Sequence, residues 1–112
     1  MNLTQGIKNN WLKALKSGEY TQFEGRLEES ANSKSCCCLG VLAIIHPDLS
    51  INHENNMGCI IRGIDKGYSA FFDILGDERL TKLYRENDNS YNLGVRDYST
   101  VIPLIEALPT ID

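Results

Sequence analysis

Basic residues are in short supply. Eleven Lys and Arg stand against fifteen Asp and Glu, a net charge of −4 over 112 residues. Non-specific nucleic-acid binding depends on neutralising phosphates with Lys and Arg, so this balance argues against it. Lys8, Lys13 and Lys16 fall near one another on the first predicted helix, and they read as a solvated face. A long apolar run is also missing. The longest, Cys36 to Ile45, is well short of the roughly 20 residues that span a bilayer. The opening "MNLTQGIKNNW" lacks the apolar stretch of a signal peptide, and no internal repeat or low-complexity segment stands out. These absences favour a cytoplasmic protein with no membrane association, in a compartment that keeps thiols reduced.

What remains is ordinary globular material. Hydrophobic residues make up 42% and charged residues 23%, enough for one core and too much apolar surface for wholesale disorder. Residues 1–112 are expected to form a single domain. Leu3, Ile7, Trp11, Leu12 and Leu15 recur at helical spacing before Ser17-Gly18, which predicts a helix over 4–17 with Thr4 as its N-cap. "EYTQFEGRL" reads as extended and "EESANSKS" as a loop. A second helix opens with the cysteines and ends before Pro47. A short strand at "CIIRGI" follows, then helices at "SAFFDIL" and "DERLTKLYREN" separated by Gly76. "NDNSYNLG" is a polar connection, and a last helix starts at Pro103, where the missing N–H is harmless. The fold class expected is α+β: compact, mostly helical, with a small antiparallel sheet.

Three adjacent cysteines, Cys36, Cys37 and Cys38, pose the sharpest chemical question. A thiol near a helix N-terminus gains thiolate character from the dipole, but a nucleophile also needs a base within reach. His46 lies along the same expected helix, about 15 Å from Cys36 and about 12–14 Å from its two neighbours. His53 is the one base that can fold back, so a catalytic reading rests on Cys36 or Cys37 with His53. Zinc is less favoured still, because contiguous cysteines lack the C-x₂₋₄-C spacing that tetrahedral ligation uses. A mixed set of Cys38, His46, His53 and Cys59 can be drawn, but no spacing asks for it. We therefore expect no metal and no cofactor, and read the thiols as small buried hydrophobes. Gly40, costly inside a helix, then marks a close approach by another element.

Two further groups stand out. Tyr20 and Gln22 fall on one side of an extended segment and either line a pocket or lock a turn; locking is the favoured reading. Asn87-Asp88 sits where a helix gives way to a loop and either caps the chain or contacts a ligand, with capping favoured. If a ligand site exists, Tyr20, Gln22 and Asp88 are its candidate residues. They would converge near the N-terminus of the cysteine helix, where an anionic group is welcome.

The order "WLKALKSGEYTQFEGRL", "CCLGVL", "LYREND" resembles a family of small, mostly uncharacterised proteins encoded by bacteriophages and mobile elements. Its members carry W-x-x-A-L-x-S-G-x-Y-x-Q-x-x-G-x-L, C-C-L-G-V-L and L-x-x-x-N-D in that order. The family's S-F-x-x-I-A element is answered here by "RDYSTVIPLI", with Tyr98 in the aromatic place. The resemblance implies a viral origin and a compact α+β domain, and brings no established catalytic residues. The expectation is a phage accessory protein in the host cytoplasm that binds a host protein or a small nucleotide-like signalling ligand to counter host defence, rather than an enzyme. The other reading is a cysteine-dependent hydrolase or transferase.

Overall fold

The computed structural model describes residues 3–30, 33–47, 49, 71 and 73–111. Helix α1, Gln5–Lys16, starts as its sequence dictates, with the Thr4 hydroxyl accepting the Ile7 N–H at 3.2 Å. It stops at Ser17, whose N–H and hydroxyl both bond to the Ala14 carbonyl, and Gly18 then turns the chain at φ +80°. Trp11 and Leu15 face inward. Lys8 does too, contrary to the solvated face expected of it. Its ammonium donates to the Glu106 and Leu108 carbonyls at 2.6 and 2.8 Å. Those acceptors close the C-terminal helix, where a cation is favourable.

Two short strands follow, β1 (Thr21–Gln22) and β2 (Ser35–Cys36). They pair in parallel, Thr21 with Ser35 and Gln22 with Cys36, which corrects the antiparallel sheet expected from sequence. The reason lies in the connection. Parallel neighbours need about a dozen residues or more between them, and residues 23–34 provide that length. This segment turns at Gly25, φ +76°, and returns so that Glu28 bridges Cys36 in antiparallel sense. Cys36 is therefore flanked by backbone on both sides.

Helix α2, Cys38–Ile45, begins two residues later than expected, with Cys37 as N-cap and Cys36 still in β2. Every residue from Cys38 to Ala43 is buried, so α2 is the central element. It packs against α1 and against α3, Asp77–Asn92. Gly40 is the point of closest approach: a Cβ there would sit 1.7 Å from the Leu27 carbonyl oxygen.

Helix α3 starts after Gly76 and runs through the "NDNSYN" segment that the sequence suggested was a connection. Its buried positions are Leu80, Leu83, Asn87 and Ser90, an unbroken helical period. The inner face simply changes from apolar to polar halfway along. Helix α4, Ile102–Glu106, has Pro103 in its first turn as expected and packs on α1. Among the described residues no helix is long and apolar enough to cross a membrane. The strand expected at "CIIRGI" and the base His53 lie outside the described residues.

Candidate functional site

The motif residues meet in one buried hydrogen-bond network. Gln22 is 1% exposed. Its Nε2 donates to the Asn87 carbonyl at 2.9 Å and its Oε1 accepts the Tyr98 N–H at 2.8 Å. The Asn87 side chain divides its groups between two elements: Oδ1 accepts the Cys38 N–H at 3.1 Å and Nδ2 donates to the Phe23 carbonyl at 2.8 Å. Tyr98 Oη donates to the Cys36 carbonyl at 2.7 Å, and Trp11 Nε1 donates to the Cys38 carbonyl at 2.9 Å. Three side chains, Asn87, Tyr98 and Trp11, thus hold the backbone of the cysteine run, and Gln22 ties Asn87 to Tyr98. A buried network satisfied in this way fixes a unique arrangement. The backbone joins in where Gln22 N–H bonds to the Arg96 carbonyl at 2.9 Å and Cys37 N–H to the Leu27 carbonyl at 3.2 Å.

This geometry places each candidate residue. Gln22 and Asp88 come together on either side of Asn87. Asp88 Oδ1 accepts the Gly25 N–H at 3.3 Å and an Asn87 Nδ2 proton at 3.2 Å. Both side chains act on neighbouring backbone or amide groups, and Asn87–Asp88 lies within α3 rather than at its end. Asn87 caps all the same, but it caps a different helix. Its Oδ1 occupies the first N–H of α2, part of the anion-binding position imagined there. Tyr20 lies apart, half-buried on the wall of a surface cleft that neither Gln22 nor Asp88 lines.

The thiols are sealed in. Cys36, Cys37 and Cys38 are each 0% exposed. Burial, with the Glu28 carboxylate adding to it, pushes the Cys36 thiol up to about 12. Burial also raises Cys37 to about 12, although the Gly40 and Leu39 N–H groups pull the other way. Cys38 is held well above its ordinary range by burial and by the neighbouring Cys37. At neutral pH such groups are thiols, and the thiolate is the nucleophile and the metal ligand. Among the described residues no group of three or more His, Cys, Asp and Glu is placed to hold a metal ion.

Sequence reasoning missed the cleft beside Tyr20. It measures about 510 Å³ and has an apolar floor of Leu15 and Ile102. Lys16, Gly18 and Thr21 line one side, and Arg96, Asp97 and Ser99 the other. Arg96 is oriented from behind: its guanidinium carbon lies 3.6 Å from the Tyr91 ring centroid, and Nη1 donates to the Tyr91 and Val95 carbonyls. Tyr91 in turn meets Phe23 edge-to-face, with centroids 5.7 Å apart. Asp97 Oδ1 accepts the Ser99 N–H at 3.1 Å, and the Ser99 hydroxyl and N–H lower its carboxyl below the usual range. Burial, then Glu19, raises the Tyr20 phenol. At neutral pH the cleft therefore presents a neutral phenol, two cations, one carboxylate and two hydroxyls. No spacing signal could reveal it, because its walls come from opposite ends of the chain.

Residues 3–73 match the family described as domain of unknown function DUF8296, and the chain belongs to that family. The match includes Trp11, Gln22, the cysteine run and Gly40, whereas Asn87 and the 96–102 side of the cleft fall beyond it. No curated protein and no solved structure matches the chain.

Proposed function

We propose that the protein works by binding: a small accessory protein of a bacteriophage or mobile element that engages a host protein or a small signalling ligand in the host cytoplasm, countering host defence. One contrast supports this reading. The thiols of the cysteine run, Cys36, Cys37 and Cys38, are enclosed at 0% exposure. The side chains suited to recognition, Lys16, Tyr20 and Arg96, line an open cleft. The net charge of −4 suits a basic host surface, since complementary charge steers encounter. The viral setting comes from the order of sequence motifs. The cysteine-enzyme alternative gains less support, because the Cys36 and Cys37 thiols are held near 12.

The test is recovery of the protein from host cells, with bound metabolites and proteins identified by mass spectrometry. A Lys16→Glu, Tyr20→Ala variant is run in parallel. A companion that the wild type retains and the folded variant loses is the expected result. Turnover of a substrate that stops when Cys36 or Cys37 is replaced in a still-folded protein would overturn the reading.

A further inference from the structure

We propose that the cleft between the end of α1 and the 96–102 segment is a site for a nucleoside monophosphate. This deepens the binding reading above and rests on it. The volume, about 510 Å³, is within the roughly 300–1,000 Å³ of small-molecule sites. Its lining offers a complement to each part of such a ligand. The Tyr20 ring gives a base a stacking face, worth about 1–3 kcal/mol per base in nucleic-acid complexes. Asp97, ionised at neutral pH, accepts hydrogen bonds from a ribose diol; the Thr21 hydroxyl offers a donor and an acceptor, and Ser99, whose proton goes to Asp97, offers an acceptor. Lys16 and Arg96 take the phosphate.

Both cations are available for that role. Lys16 pairs with Glu106 at 3.4 Å, with both side chains about half exposed at 52% and 51%. An exposed pair of this kind is worth only about 0–1 kcal/mol, so a phosphate carrying more than one negative charge competes well for Lys16. Arg96 spends Nη1 on two carbonyls, and a guanidinium carries five N–H donors. Its plane is already held on the Tyr91 ring, which reduces the ordering a ligand must impose. The C-terminal end of α1 opposes an anion with about half a negative charge. The Ser17 hydroxyl and N–H on the Ala14 carbonyl blunt that effect, and two full cations outweigh it.

The measurement is calorimetric titration of the full chain with AMP, GMP, CMP and UMP, with the matching nucleosides and inorganic phosphate as partial ligands. Expected is saturable binding of at least one nucleotide, weaker for its nucleoside. Lys16→Glu and Tyr20→Ala should each weaken it by about tenfold or more, and Lys82→Glu on α3 should leave it unchanged. Circular dichroism confirms that each variant is folded. Absence of saturable binding up to millimolar nucleotide overturns the assignment, as does binding indifferent to Lys16 and Tyr20. A cleft-dependent protein companion from the host-cell experiment, with no nucleotide bound, overturns this assignment alone. Loss of both results overturns the binding reading as well.

Discussion

The Asn87 side-chain oxygen accepts the backbone N–H of Cys38, a residue 49 positions away, at 3.1 Å. Helix α2 has no side-chain cap of its own, so α3 supplies one. The same carboxamide donates to the Phe23 carbonyl, which ties the β1–β2 connection to both helices. Asn87→Ala removes a buried acceptor and a buried donor together. Each of the two orphaned partners costs about 1–3 kcal/mol, so a loss of roughly 2–6 kcal/mol is expected by urea denaturation. Asn87→Asp keeps an acceptor for Cys38 but turns a buried oxygen onto the Phe23 carbonyl and the Asp88 carboxylate, so it should destabilise at least as much as alanine.

Gly40→Ala should be severe for a different reason. The added methyl would lie 1.7 Å from the Leu27 oxygen, and that neighbour is backbone, which cannot swing aside. Overpacking costs typically about 1–3 kcal/mol, and this substitution should reach or exceed the upper end. A denaturation midpoint equal to wild type would show that the α2–Leu27 approach is looser than described.

Tyr98→Phe separates hydrogen bonding from packing. The Cys36 carbonyl also accepts the Phe23 N–H at 3.0 Å, so it keeps one partner when the phenol is lost. The expected cost is only about 0.5–1.5 kcal/mol. Trp11→Ala removes a fully buried ring as well as its bond to Cys38 and should cost about 3–5 kcal/mol. Equal losses in the two variants would mean the ranking of polar and apolar terms is wrong.

Alkaline pH should unfold the protein through its thiols. Cys36 and Cys37 rise from an ordinary 9.0 to about 12 in the folded state. Above about pH 9 the unfolded chain therefore releases protons that the folded chain retains. Their contribution is whole below pH 9 and is lost between pH 9 and 12, at up to about 1.4 kcal/mol per pH unit for each thiol. Denaturation curves from pH 8 to 11 should show that decline, and Cys37→Ala should make it shallower. Identical slopes would remove Cys37 from the account.

What could be read in advance was local. Thr4, Trp11 and Leu15 mark α1 because cap and period are adjacent in sequence. The cysteines were legible as core because the run after them has no polar stripe. Sheet sense was not legible, since it depends on how residues 23–34 route the chain around Gly25. The second half of α3 was misread as a connection because Asn87 and Ser90 are polar residues facing inward. Hydrophobic periodicity has no signal for a buried amide. Tyr20, Gln22 and Asp88 were grouped as candidate residues of one ligand site because they are polar side chains that need partners. Gln22 and Asp88 find theirs around Asn87, while Tyr20 belongs with Lys16 and Arg96. That last grouping depends on the Gln22–Arg96 backbone bond, which no local pattern announces.

The central claim is that the cysteine run is scaffold, sealed by Gln22, Asn87, Tyr98 and Trp11, and not a reactive centre. Its most direct test is modification of the native protein by a small thiol reagent, with labels assigned by peptide mass spectrometry. No Lys or Arg lies between Lys34 and Arg62, so digestion at acidic residues, with Asp48 and Glu54 between the run and Cys59, puts Cys59 on a separate peptide and lets it be counted separately. The account predicts that Cys36, Cys37 and Cys38 stay unlabelled over the minutes in which the urea-unfolded chain labels completely. Rapid labelling of any of the three, with the circular-dichroism spectrum unchanged, would contradict it.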